Sequence, residues 1–417
     1  MATWQARESR SEGPVAEAPG FPWTPDRFNV RVRELAPVLR AGPTPPDVIS
    51  LAFGMPDPAL FPAAGLAEAA QEALRDREAC GVALQYGAPL GNPVLLAELG
   101  RKLEAEENRP VGPGSLLVTN GSSQAIALVI QALANPGDVV LSEVPTFLGT
   151  LRHLQFHGVR VEAVPLDDGG LDVEALEARL RRLHAAGTPP RFVYTIPTFN
   201  NPAGVTMPVD RRRALLDLAG RYAVPIVEDD AYRDLRYEGE PVPTLHALDR
   251  EGLVIRLGTF SKIVAPGVRL GFVLAQPRVI ERVLAFKGEG STNGLASLTV
   301  AAFMRKGGLA AHIELLRADY RRRRDAMYAA LEREMPEGVS WTRAAGGFFL
   351  WLTLPPRADA ARIAARAVEE RVQALPGTEC FPDGRGTHNL RLAFSLQSPD
   401  RIGEGIRRLA RAVRAGL

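Results

Sequence analysis

At 417 residues the chain exceeds the roughly 250–300 residues that one hydrophobic core holds, so two packed units are expected. Its hydrophobic fraction of 46% and charged fraction of 24% are those of an ordinary globular protein. Fifty basic against 48 acidic residues leave a net charge of +2, which excludes a global field directed at nucleic acid or a membrane surface. Along the chain, the first twenty residues lack the apolar stretch of a secretory signal. Residues 1–46 read as a flexible tail and arm, broken by Pro22, Pro25, Pro37, Pro43, Pro45 and Pro46, with one short helix possible over 27–40. Globular structure is expected from Asp47. From 115 to 275, β-rich runs at 116–118, 139–141, 159–164, 191–195, 225–228, 253–257 and 271–274 alternate with amphipathic helices such as 122–133, 173–184 and 208–222. That alternation predicts a mostly parallel seven-stranded sheet covered by helices, whose ligands bind beyond the carboxyl ends of the strands. The segment 306–417, with strands expected at 347–354 and 389–394, reads as a smaller α+β domain.

Other chemistries leave no trace in the pattern. Cys80 and Cys380 share no C-x-x-C spacing, which argues against a disulfide framework or structural zinc and for a reducing, cytoplasmic setting. No run reaches the ~18 apolar residues of a membrane-spanning helix. The six histidines are scattered without metal-ligand spacing, so no metal site is expected. The basic runs at 211–213 and 321–324 sit in helical stretches among acids and read as solvated faces, not a nucleic-acid surface. There is no G-x-G-x-x-G for a dinucleotide.

Four motifs fall at predicted strand ends. Gly258-Thr259-Phe260-Ser261-Lys262, with Arg269 seven residues on, sets an amine among hydroxyls, glycine and a guanidinium. An amine condenses with an aldehyde, while hydroxyls and guanidinium hold a phosphate, so the motif suits a carbonyl cofactor carrying a phosphate. Val227-Glu228-Asp229-Asp230-Ala231-Tyr232 offers carboxylates that either cap a helix or pair with a protonated ring nitrogen. Asn200-Asn201-Pro202-Ala203-Gly204 is a turn whose amide could contact the cofactor, and Asn120-Gly121-Ser122-Ser123-Gln124 opens a helix whose free N–H groups form an anion site.

In order and spacing these motifs resemble the fold type I pyridoxal 5′-phosphate aminotransferases, in the branch of 2-aminoadipate and kynurenine aminotransferases, over residues 47–417. The resemblance implies a large cofactor-binding domain at 85–305 and a smaller domain assembled from 47–84 and 306–417. It implies that Lys262 is the Schiff-base lysine and that Asp229 pairs with the pyridine nitrogen. Asn201 and Tyr232 then contact the phenolic oxygen, and Phe147 stacks on the ring. Arg269, Thr259, Ser261, Ser122 and Ser123 hold the phosphate. Arg391, in Asn389-Leu390-Arg391-Leu392, binds the substrate α-carboxylate, with Asn201 and Gly54 lining the substrate side. Tyr86 reaches the phosphate of a neighbouring subunit, which implies a homodimer with shared sites. The implied activity moves an amino group between an α-amino acid and a 2-oxo acid by a ping-pong route. Relatives that use the same cofactor for elimination, replacement or carbon–carbon bond formation, for example with S-adenosylmethionine, need the same lysine, aspartate and arginine. A ligand-sensing regulator built on this domain would carry a helix-turn-helix ahead of it, which the proline-broken residues 1–46 are not expected to form.

Overall fold

Short apolar runs become strands wherever two faces of the same run find helices to cover them. A computed structural model describes residues 45–288 and 290–417; the expected tail and its helix at 27–40 lie outside the described residues except for Pro45 and Pro46. In chain order the strands are β1 (Ile49–Ser50), β2 (Leu116–Thr119), β3 (Val139–Val144), β4 (Arg160–Asp167), β5 (Gly170–Leu171), β6 (Val193–Thr195) and β7 (Ile226–Asp229). They continue with β8 (Val254–Thr259), β9 (Gly271–Leu274), β10 (Ser340–Trp341), β11 (Phe349–Thr353), β12 (Val372–Gln373), β13 (Leu375–Pro376) and β14 (Asn389–Ala393).

The main sheet runs β2-β9-β8-β7-β6-β3-β4-β5. Strands β4, β3, β6, β7 and β8 are parallel in sequence of pairing, and β9 lies antiparallel between β8 and β2. The seven expected strands are all present; the eighth, β5, is a two-residue return pairing Asp167 with Gly170, too short to leave a periodic signature. Alternation sorts each strand between two cores. Val140, Tyr194, Val227 and Ile255 pack with helices Ser122–Leu133 and Pro277–Ala285. Val139, Val193, Ile226 and Val254 face the opposite way, against helices Val173–Ala185 and Val209–Arg221.

A second sheet, β10-β11-β14-β13, is antiparallel and packs against the apolar faces of helices Gly308–Glu334 and Pro399–Gly416. Strand β1 pairs in parallel with β12, Ile49 opposite Val372, so the chain from Ile49 is tied to its C-terminal part. No helix among the described residues is long and apolar enough to cross a membrane.

Candidate active site

The carboxyl ends of β2, β3, β6, β7 and β8 lie along one edge of the sheet, and the chemistry-bearing residues follow those ends. Lys262 comes three residues after β8, in the turn before the 3-10 helix Pro266–Val268. Its Nζ donates to the Gly54 carbonyl at 3.1 Å and lies 5.6 Å from the Phe348 ring centre and 5.9 Å from that of Tyr232. Burial, with Arg391 adding like-charge repulsion, brings its pKa down to about 8 despite the pull of Asp229. A buried amine of this kind gives up its proton far more readily than an ordinary lysine.

Asp229 closes β7. Its Oδ2 accepts from the Tyr194 hydroxyl at 2.7 Å, while Oδ1 is buried without a hydrogen-bond partner. Burial pushes the carboxyl up to about 6, with the Tyr194 hydrogen bond opposing. The neighbouring acids serve elsewhere. Glu228 accepts from the backbone N–H groups of Leu245 and His246, capping the short helix there, and Asp230 pairs with Arg256. Of the three acids in the motif, only Asp229 faces Lys262.

Sequence reasoning missed the groups beneath Asp229. Thr150 donates to the Tyr194 hydroxyl at 2.9 Å, so Tyr194 is oriented toward the carboxylate. Glu143, in β3, is fully buried and accepts from Thr195 Oγ1, Ile196 N and Asn200 Nδ2 at 2.6, 2.6 and 2.7 Å. Burial raises its carboxyl to about 7 against those three hydrogen bonds. The strand expected at 139–141 runs on through Glu143 because this acid is matched by donors inside the sheet. A charged residue at the end of an apolar run, followed by Pro145, was the available signal.

At the other end of the edge, β9 sits between β2 and β8, and Gly271 pairs with both Thr119 and Thr259. A Cβ on Gly271 would come within 2.6 Å of the Gly121 carbonyl carbon and 2.7 Å of Ser122 N. Glycine therefore lets the first turn of helix Ser122–Leu133 close against the Lys262 turn. That helix has no side-chain cap at Gly121, which leaves its first N–H groups to an anion. Thr259 Oγ1 donates to Ser261 Oγ at 3.0 Å, and Arg269 reaches across to the Asn120 carbonyl at 3.1 Å. Ser122 is half-buried and Ser123 exposed in the same first turn. The structure thus brings Thr259, Ser261, Arg269 and the Ser122–Ser123 turn to one corner.

Arg391 lies on β14 and is buried, its guanidinium 4.4 Å over the Phe349 ring. It donates to Asn201 Oδ1 at 2.9 Å and the Ala52 carbonyl at 2.7 Å, while its Nε has no partner. No carboxylate lies within ion-pair distance among the described residues. A buried cation without a counter-charge is costly unless a ligand supplies one. Tyr232 is buried beside Asn201, and burial lifts its phenol above the usual range while Arg391 opposes. Gly54 is forced: a Cβ there would meet the Phe349 ring at 2.2 Å. Phe147 is half-buried just after β3, its ring over Gly149. Tyr86 stands apart from the cluster, 92% exposed.

A buried lysine of lowered pKa, an incompletely satisfied carboxyl and an unpaired arginine along the carboxyl edge of a mostly parallel sheet define an enzyme that handles amines and carboxylates. The model of the family "Aminotransferase class I and II" matches residues 46–409, and the chain belongs to that family. It is similar to aromatic-amino-acid aminotransferase 1 of Thermococcus litoralis, 40% identical over 92% of this chain and 91% of that protein. It also resembles the 2-aminoadipate transaminase of Thermus thermophilus, 36% identical over 89% and 91%. The crystal structure of Pyrococcus horikoshii kynurenine aminotransferase, in complex with PMP, superposes with a TM-score of 0.88 at 38% identity, over 94% of this chain and 98% of that one. The protein is a fold type I, pyridoxal-phosphate-dependent aminotransferase.

The residues present fit that cofactor. Lys262 offers an amine able to join an aldehyde. Asp229 Oδ1 is a buried acceptor lacking a donor. The Gly121–Gly271 approach and Arg269 make a cradle for phosphate oxygens, and two hydroxyls add donors.

Proposed function

We propose that the site takes an α-amino acid as donor and a 2-oxo acid as acceptor, holding the α-carboxylate of each on Arg391. The observation that carries this is the buried Arg391 guanidinium with no carboxylate of the protein beside it. An aromatic or 2-aminoadipate-like donor is the side-chain class we infer, supported by the names of the relatives and by the aromatic wall of Phe348, Phe349 and Tyr232.

When bound, pyridoxal phosphate supplies an aldehyde for amines and a cationic ring that withdraws electrons from the substrate Cα. Lys262 would hold it covalently; Arg269, Thr259, Ser261, Ser122 and Ser123 would hold its phosphate, Asp229 its ring nitrogen, Asn201 and Tyr232 its phenolic oxygen and Phe147 its ring face. Lys262 Nζ, once released and in the neutral form that its lowered pKa makes accessible, takes the α-proton of the amino acid and delivers a proton back in the reverse half-reaction. Asp229, steadied by Tyr194, keeps a negative charge opposite the ring. Arg391, aimed by Asn201 and the Ala52 carbonyl, fixes which Cα bond faces Lys262. Purified enzyme offered single amino acids, with cofactor absorbance recorded, tests the reading. Conversion to the aminated cofactor, reversed by a 2-oxo acid, is expected. No conversion with any amino acid, from an enzyme shown to hold its cofactor, would sink it.

We also read the active unit as a cytoplasmic homodimer in which Tyr86 serves the neighbouring site. Its exposure, with Val82, Leu84 and Phe286 also exposed, supports a covered face there. The division into a domain of 85–305 and one of 47–84 with 306–417 is part of this reading, supported by the β1–β12 pairing. Mixing inactive Tyr86→Ala and Lys262→Ala proteins should restore activity, because one site per hybrid regains both groups. Verified subunit exchange without recovery would overturn the shared site.

A further inference from the structure

Away from the Lys262 edge, the chain after Tyr232 and helix Gly308–Glu334 border a half-open cavity of about 300 Å³ lined by Arg233, Arg236 and Arg317 together with Glu106, Asp234 and Glu238. The acids on its wall are committed to other cations. Glu106 meets Lys102 and Arg256, Asp234 meets Lys102 at 3.0 Å, and Glu238 meets Arg324 at 3.1 Å. On the cavity side the arginines are matched less closely. Arg233 has only Glu106, at 3.9 Å, and otherwise donates to the Val242 and Glu106 carbonyls at 3.3 and 3.5 Å. Arg317 uses Nε on the Asp234 carbonyl and Nη1 on Glu314, outside the cavity lining. Arg236 has no carboxylate within ion-pair distance among the described residues. Its guanidinium rests 4.7 Å over the Phe199 ring, and its one hydrogen bond, to the Glu238 carbonyl, is 3.4 Å long. Burial and then the like charges of Arg233 and Arg317 push the Arg236 pKa down, against a weaker pull from Glu240.

We propose that this cavity is a second anion site, taking a small polyvalent oxyanion, phosphate or polycarboxylate, between Arg233, Arg236 and Arg317, and that its occupation is felt at the amino-acid site. Guanidinium forks match the planar or tetrahedral oxygens of such ions two at a time. The connection runs through Phe199. This residue has a left-handed φ of 52° and is fully buried. A Cβ on Gly346 would meet its ring at 2.3 Å and one on Gly347 its Cβ at 2.8 Å, while Gly346 is bridged to Arg236. Phe199 leads directly into Asn200 and Asn201, and Asn201 holds Arg391. An anion that draws Arg236 off the Phe199 face therefore changes the support of the loop that aims the substrate arginine. The site goes beyond the proposed transamination and does not depend on which amino acid is the donor.

The test uses cofactor-loaded enzyme, so that the Arg269 corner is filled, with ionic strength held constant by chloride. Inorganic pyrophosphate and citrate are titrated by calorimetry, and KM for the amino donor is measured with and without each. Binding by either probe is expected, with affinity reduced about tenfold or more in Arg236→Gln and in Arg317→Gln, since each removes a charge-assisted contact. Pyrophosphate alone would assign the site to phosphate compounds, citrate alone to polycarboxylates. The donor KM should shift with the anion in the wild type and stay put in Arg236→Gln, with kcat within about twofold in both. Binding that survives both substitutions would place the ion at Arg391 or Arg269 and overturn the site. Loss of binding in the variants with a donor KM that never responded would overturn the coupling.

Discussion

Asp229 and Asp230 are consecutive residues at the end of β7, both buried, and they face different worlds. Asp230 Oδ2 receives Arg256 through Nε at 2.9 Å and Nη2 at 2.7 Å. Arg256 also holds Glu106 and Glu107, and Lys102 spans Glu106 and Asp234. In that network burial works against ionisation, but Lys102, Arg256 and Arg233 outweigh it and hold Glu106 at about 2. Asp229 has a tyrosine hydroxyl and a lysine pushed toward neutrality, and it rises to about 6. Each aspartate leaves one oxygen without a partner, so an orphaned atom alone does not mark chemistry. The difference is charge: one region gives each buried acid a close cation, while the other leaves amine, acid and guanidinium unbalanced until cofactor and substrate arrive.

The two lysines should break along the same line, with the largest effect at Lys262. Lys262→Ala is expected to abolish covalent, borohydride-trappable cofactor binding and to cut turnover by at least about 10³-fold, because both attachment and proton transfer are lost. Lys102, whose pKa is held up by Asp234 and Glu106 against burial, is a structural counterpart. Lys102→Ala should lower the unfolding midpoint and leave kcat near wild type. A trappable adduct in Lys262→Ala would remove the central assignment.

The aspartates give the sharper test. Asp229→Asn should fold as stably as the wild type and lose about 10²–10³-fold in kcat, the scale for removing a charge aimed at the reacting system. Asp230→Asn should do the reverse. Stranding part of the Arg256 charge costs about 3 kcal/mol of stability, with activity per folded molecule largely kept. Denaturant midpoints and single-turnover rates on both proteins separate the cases. Similar losses of rate in both would mean the regions are not distinct.

Much of this was legible from the chain because strand ends and site motifs coincide. The seven principal strands follow apolar runs, and helix Ser122–Leu133 was bounded correctly by its small polar start. Lys262, Arg269 and the glycines beside them announce themselves by local spacing. Arg391 does not: one arginine on an apolar strand becomes notable only when β14 pairs with β11 and places it over Phe349 and against Asn201. Tyr194 was invisible for the same reason, and Glu143 left only a charge before Pro145, since Thr150, Thr195 and Asn200 reach them from distant segments. The choice among Glu228, Asp229 and Asp230 also needed the fold, because the strand end turns each acid toward a different partner.

Glu143 supplies the smallest effect and the one most open to measurement in cofactor-free protein. Its carboxyl titrates at about 7 in the folded chain against 4.5 for an ordinary glutamate, so between those values the folded state binds the extra proton. Stability from this group is therefore complete below about pH 4.5 and is lost as pH rises through 7, a total of about 3 kcal/mol. Glu143→Gln keeps a carbonyl oxygen for Ile196 and Asn200 and turns an N–H toward Thr195, imitating the protonated acid without its titration. Asp229, raised in the same pH range, titrates in both proteins, and its charge repulsion of the Glu143 carboxylate adds to the difference between them. Urea midpoints should thus agree near pH 4.5 and diverge upward, the variant being the more stable at pH 8. Parallel profiles for the two proteins would mean that Glu143 is ionised throughout and that its three donors, not a proton, balance it.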